Sequence, residues 1–269
     1  MKIGQILLLA LTLGWAGCSG SKGSLRSHKG SYLENVKLNF DAGLEALDNS
    51  DFDKALSYFQ FVRSKYPFSQ YAALSDLKIA DAKYNQKKWI EAASAYEIFV
   101  RLHPRHEEVP YASYRIGASY FYAVPTDFFL LPKSTSRDQA STKEALSAID
   151  RFLLQYPNAS YVADAREKQL MLFDKLAEHN LHVADYYLRR GQFEAAVTRF
   201  LSIYELYPKA KESQYALFKA ASLLADQIKD VDRAIEVFGL VIEHGDKNEY
   251  QEQAIRRIEL LRQQKELEN

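Results

Sequence analysis

The 269-residue chain contains a single cysteine, Cys18, so it can form no internal disulfide and has no paired-cysteine metal motif. Its 35 basic and 35 acidic residues cancel, and a balanced chain lacks the excess positive charge on which nucleic-acid binding rests. No apolar run reaches the roughly 20 residues needed to span a bilayer as a helix. A Gly-rich phosphate loop, a serine elbow and a His-Glu-x-x-His pair are also absent. The six histidines are His28, His103, His106, His179, His182 and His244. They come closest together in His103-Pro-Arg-His106, which has no convincing third ligand and reads as turn polarity. His179 and His182, three apart on a helical stretch, read as packing or surface residues. Asp164, Glu167 and Asp174 read as dispersed acids on solvated helices. No catalytic constellation and no metal site is expected, and no cofactor beyond a covalent lipid.

That lipid is indicated at the N-terminus. Lys2 gives a positive start, Ile6 to Leu13 is apolar apart from Thr12, and Ala16-Gly17 supplies the small residues a signal peptidase needs. Residues 1–17 therefore read as a lipoprotein signal peptide. A thiol directly after Ala-Gly can take a diacylglyceryl group and become the mature N-terminus at Cys18. The plainer alternative is an ordinary signal peptide with an incidental cysteine. In a double-membraned bacterium Ser19 would sort the lipoprotein outward, because serine lacks the inner-membrane retention signal that aspartate supplies. Residues 18–31 are rich in glycine, serine and lysine and read as a flexible tether.

Beyond the tether the chain repeats. Gly43, Ala55 and Pro67 are spaced twelve and twelve, as are Ala80, Ala92 and Pro104, and Ala184, Ala196 and Pro208. Ser222, Ala234 and Asp246 keep the interval without the proline. An aromatic residue follows each alanine by four: Phe59, Tyr96, Phe200 and Phe238. The spacing predicts paired helices, A and B. A small residue on A admits the backbone of B, and the aromatic ring fills the space where the two diverge. Pro67, Pro104, Pro157 and Pro208 should each end a B-helix. The expected fold is all-α: an α-solenoid of about five tetratricopeptide-like helix pairs, with a charged C-terminal capping helix from Tyr250 to about Leu267.

Two units depart from the pattern. Gly117 is followed by its partner Ala145 after 28 residues instead of twelve, which leaves sixteen inserted. Within the insert, Pro125 and Pro132 bracket Phe128, Phe129, Leu130 and Leu131. These four either tuck onto the scaffold or present an apolar patch to a partner. In the fourth unit, Tyr161 to Arg190 contains no proline or glycine. It reads as one helix of about 45 Å, or as two broken near His179.

With these features the chain resembles the BamD family, the competence-lipoprotein-like components of the machinery that assembles β-barrels in the outer membrane. The resemblance is carried by the lipobox at Cys18, by the repeat unit Ala55-Leu-Ser-Tyr-Phe-Gln-Phe-Val-Arg-Ser-Lys-Tyr-Pro67, and by the block from Arg137 onward. That block includes Phe152-Leu-Leu-Gln-Tyr-Pro-Asn-Ala-Ser-Tyr161 and Val183-Ala-x-Tyr-Tyr-x-x-Arg-Gly191. The resemblance implies a non-enzymatic scaffold, lipid-anchored to the periplasmic face of the outer membrane. Residues 32–131 would form the half that receives unfolded outer-membrane protein precursors. Residues 132–269 would dock the periplasmic domains of the barrel-shaped assembly protein, with accessory lipoproteins as further candidate partners. Arg190 and Arg199 are candidate docking residues because an arginine fork suits a carboxylate, with Phe128 and Phe129 as further candidates. The rival expectation is a lipoprotein adaptor of a cell-wall or polysaccharide export complex, which would share the anchor and the repeats but not the Val183–Gly191 block.

Overall fold

The structure, a computed structural model, describes residues 31–125, 139–244 and 249–268. Among the described residues there are eleven α-helices: α1 Tyr32–Asp48, α2 Phe52–Lys65, α3 Gln70–Asn85, α4 Trp89–Leu102, α5 Val109–Ala123, α6 Ala140–Gln155, α7 Val162–Arg189, α8 Phe193–Leu206, α9 Ser213–Leu223, α10 Val231–His244 and α11 Glu249–Glu268. Each packs against its predecessor, which gives five antiparallel pairs and a final single helix. Helices α1 and α3, α5 and α7, and α9 and α11 also touch, and no two B-helices come into comparable contact. The A-helices therefore lie on the inside of the array and the B-helices on the outside.

The helix ends follow from local chemistry. Ser31 opens α1 with a reciprocal capping box, its Oγ accepting from the Glu34 amide while its own amide donates to Glu34 Oε2 at 2.6 Å. Asp51 caps α2, its side chain accepting from the Lys54 amide. Tyr66, His103, Tyr156 and Tyr207 all leave the helical region just before their prolines, as expected where proline crowds the preceding backbone. Each ring also packs against another: Tyr66 lies 5.0 Å from Tyr32, His103 5.3 Å from Phe99, Tyr156 6.0 Å from Phe152, and Tyr207 5.9 Å from Phe173.

The A-to-B turns share a second device, a residue with left-handed backbone. It is Ser50, Lys87, Gly191 and Lys229 in turn, with φ of 59, 59, 69 and 65°. In the first, second and fourth pairs the flanking amides bond back five and three residues, as in Asp51 to Ala46 and Ser50 to Leu47. The fifth pair differs because Leu224–Ile228 is a π turn, and Asp230 bonds back six residues to Leu224. The extra residue corrects the expectation for Ser222: Ala221 is fully buried where a small residue is needed, and Ser222 is only half-buried.

The other repeat positions lie where the spacing puts them. Ala55, Ala80, Ala92, Ala145, Ala184, Ala196 and Ala234 are fully buried, and so are Phe59, Tyr96, Phe200 and Phe238 to within a percent. In the third pair Ile149 occupies the ring position. The reason for the small residue needs correcting at Gly43. A Cβ there would stand 2.6 Å from Phe59 Cε1, so Gly43 makes room for the ring and not for the helix backbone. At Gly117 the obstacles are the Ile149 side chain at 3.0 Å and its backbone nitrogen at 3.3 Å, which is the expected close approach.

The long segment of the fourth unit is one helix. α7 has 28 residues, about 42 Å at the α-helical rise. Its Ala165 and Leu172 pack with Ile149 and Phe152, while its Leu176, Ala177 and Ala184 pack with Phe200 and Phe238. A single helix thus belongs to two successive cores. At the end of the array α11 covers α10 with Ala254, Ile258 and Leu261 and is solvated beyond them.

Candidate functional site

The inner face is richest where α3, α5 and α7 come together. On α5, Tyr111, Tyr114 and Arg115 stand three and four apart and so share one side. They reach both neighbouring A-helices. Toward α3, the Tyr111 hydroxyl donates to Asp81 Oδ1 at 2.9 Å, and the Tyr96 hydroxyl from α4 donates to the same oxygen at 2.6 Å. Lys78 neutralises the other oxygen of Asp81 at 2.8 Å. Asp81 is 5% exposed, and three donors explain how a carboxylate is tolerated there. Arg115 Nε donates to the Tyr111 hydroxyl at 2.8 Å, and the guanidinium lies 3.9 Å over the Tyr84 ring.

Toward α7, Tyr114 stacks on Tyr161 with centroids 4.8 Å apart and its hydroxyl donates to Asp164. Lys168 bonds the same carboxylate at 2.7 Å and faces the rings of Phe121 and Tyr122 at 5.5 and 5.6 Å. Tyr122 in turn stacks on Trp89 at 5.1 Å, and Trp89 meets Tyr84 edge-on at 5.0 Å. The surface is a continuous run of rings with charges set between them.

Burial determines the protonation of this network. It pushes the phenol of Tyr111 up to about 12, with the Asp81 charge adding to the effect. Tyr96 and Tyr114 are raised for the same first reason, reinforced by Asp81 and Asp164 respectively. Burial by itself would raise the Asp164 carboxyl too, but hydrogen bonds from Lys168 and Tyr114 outweigh it and hold the group below the usual carboxylate range. The phenols therefore serve as donors and do not titrate near neutrality. No residue of the network is poised as a nucleophile or a base. The arrangement offers aromatic area and fixed charge, which suits binding of an extended chain.

Of the residues singled out from the sequence, Tyr96 and Asp164 belong to this network and the others fall elsewhere. The alanines, glycines and rings of the repeat spacing are buried between helices, whereas Pro67, Pro104, Pro157 and Pro208 are exposed in the turns. Cys18, Ser19, Phe128 and Phe129 lie outside the described residues. Arg190 ends α7 exposed, its guanidinium 4.6 Å over the Tyr186 ring. Arg199 is exposed on α8. His103 Nε2 lies 3.0 Å from Asp76, which also pairs with Arg63, and His106 Nδ1 accepts from the Glu108 amide, so both histidines are engaged in their turn. Among the described residues no group of three or more histidines, cysteines or acids is placed to hold a metal. None of Asp81, Tyr84, Tyr111, Tyr114 and Arg115 stands out in the repeat spacing. The shared face of Tyr111, Tyr114 and Arg115 is the one sequence signal that points to them.

Comparison with known proteins agrees with the array. The outer membrane protein assembly factor BamD of Caulobacter vibrioides is 30% identical over 212 residues, covering 78% of this chain and 67% of that protein. The BamD of Neisseria gonorrhoeae is 28% identical, covering 79% and 80%, and that of Vibrio cholerae 29%, covering 78% and 85%. Residues 34–234 match the family described as YfiO, outer membrane lipoprotein. That match spans α1 to α9, the start of α10 and the whole of the inner-face network, and the chain belongs to the YfiO family of outer membrane lipoproteins.

Proposed function

We propose that this protein is a non-enzymatic scaffold of the machinery that inserts β-barrel proteins into the outer membrane, held at the periplasmic face by a lipid on Cys18. The observation that carries the reading is the family match over 34–234 together with relatives that are themselves outer membrane protein assembly factors. Within that role, residues 32–131 receive unfolded barrel precursors, and residues 132–269 dock the periplasmic domains of the barrel-shaped assembly protein.

The division is supported by the distribution of surface chemistry. Most of the ring-and-charge surface, from Lys78 to Tyr122, lies in the N-terminal half and suits a partner with no fixed structure. The exposed arginines Arg190 and Arg199 lie in the C-terminal half and suit carboxylates of a folded partner. The tether confines both activities to the membrane surface and raises the effective concentration of partners there.

Crosslinking in detergent-solubilised envelopes with the native lipoprotein as bait tests the reading. Recovery of a large outer-membrane barrel protein with periplasmic domains, together with unfolded barrel precursors, is the expected result. Recovery of cell-wall or polysaccharide-export machinery alone would overturn it in favour of the adaptor alternative. Exchange of Cys18 for serine should release the protein from the membrane with its helical content unchanged.

A further inference from the structure

The charges of the inner face balance in pairs, with one left over. Lys78 is matched by Asp81 at 2.8 Å and Lys168 by Asp164 at 2.7 Å. Arg115 stands between these pairs on α5; its charge helps to hold the Asp164 carboxyl down, but among the described residues no carboxylate lies within ion-pair distance of it. The network thus holds three cations and two acids. The tyrosines around Arg115 contribute no compensating charge, because burial keeps their phenols protonated.

Arg115 is also held in place. Nε is fixed by the Tyr111 hydroxyl, and the plane of the group rests 3.9 Å from the Tyr84 centroid. The Tyr111 hydroxyl is tied in turn to Asp81. A guanidinium oriented in this way has lost its side-chain freedom before any ligand arrives, so little ordering entropy opposes pairing. Its planar fork matches a carboxylate, and the half-buried setting strengthens that pairing relative to open water. The neighbouring rings define what else the ligand should carry. Tyr84, under the guanidinium, continues into Trp89 and Tyr122, and Tyr114 with Tyr161 forms a second group of rings, so apolar or aromatic groups next to the carboxylate would be covered.

We propose that Arg115 is the anion anchor of the inner face and takes one carboxylate of a bound extended chain, either a chain terminus or an acidic side chain. The proposal rests on the precursor-binding reading above and adds the group recognised and the residue that recognises it.

The test uses the full chain in detergent micelles and three short labelled peptides of alternating threonine and phenylalanine. One ends in a free carboxylate, one is amidated, and one is amidated with a single central glutamate. Fluorescence anisotropy should show at least one carboxylate-bearing peptide binding about tenfold more tightly than the amide, as expected of a half-buried charge-assisted pair. Arg115→Gln should abolish that gap, and Arg115→Lys should narrow it by keeping the charge without the fork. The peptide that shows the gap identifies the source, terminus or side chain. Equal binding of all three peptides, or a gap that survives Arg115→Gln in a variant of unchanged helical content, overturns the anchor and leaves the precursor reading intact. If Arg115→Gln does not fold, a gap in the native protein that Arg115→Lys leaves at full size overturns it as well. Failure of all three peptides to bind overturns both readings.

Discussion

From α1 to the first half of α7 the buried apolar residues fall into three clusters, around Phe59, Tyr96 and Ile149. From Leu176 to Leu261 they form one cluster that runs through α7, α8, α9, α10 and α11. In the N-terminal half the divisions fall within α3 and α6: Ile79 belongs to the first cluster and Leu77 and Ala80 to the second, Ala148 to the second and Ile149 to the third. A continuous core makes neighbouring helices unfold together, whereas separate clusters let one pair open while the next stays folded. The same solenoid thus has one end with a continuous core and one end with a segmented core; under the proposed function the first would hold the folded partner and the second the irregular chain. The junction is α7, which belongs to both.

The comparison is tested most severely by removing a ring from each half. Phe59→Ala and Phe200→Ala each delete a fully buried side chain and should each cost about 3–5 kcal/mol. Their reach should differ. Hydrogen exchange should show faster opening of α1 to α3 alone in the first variant, and of α8 to α10 together in the second. Exchange that spreads equally far in both would remove the distinction between the halves.

A smaller effect separates two glycines. Gly43→Ala drives a methyl into the Phe59 ring and should destabilise by about 1–3 kcal/mol. Gly239, on α10, has nothing within 4 Å of its Cβ direction, so Gly239→Ala should stabilise by about 0.5–1 kcal/mol through helix propensity. Thermal melts of the two variants should move in opposite directions.

The gentlest probe is alkaline pH. A phenol whose folded pKa lies above its unfolded value of about 10 keeps its proton in the folded state while the unfolded chain loses it. Its contribution to stability is therefore complete below pH 10 and declines as pH rises from there toward the folded pKa. Tyr111, pushed up to about 12, and Tyr96 and Tyr114 beside it all belong to the α3–α5–α7 network. Exchange measured from pH 10 to 12 should therefore show the N-terminal half loosening first. Simultaneous loosening of both halves would mean that the network does not bear on the stability of its own half.

Much of the array follows from residue spacing. Alanine and ring positions four apart recur because two helices can approach closely only at small side chains, and prolines end the B-helices by excluding helical backbone before them. Both are local rules, and together they set out the paired helices that the structure contains. For α7 the sequence allows one helix or two, because no residue near His179 forbids either. Burial on both sides of its middle keeps it unbroken, and that burial depends on α6 and α8. The π turn at Leu224–Ile228 likewise shifted the facing residue from Ser222 to Ala221, a displacement with no signature in composition.

The candidate site was much less legible. Asp81, Tyr96, Tyr111, Arg115 and Asp164 come from four helices and up to 83 residues of chain, and only Tyr96 is marked by the repeat spacing, as a packing ring and not as a donor. The sequence by itself determined the helices, their pairing and the order of the pairs, because each of those depends on contacts within about forty residues. Only the stacking of one pair on the next decided which tyrosines become donors to a buried acid and which arginine is left without a carboxylate, because a charge is matched or unmatched only by what surrounds it in space.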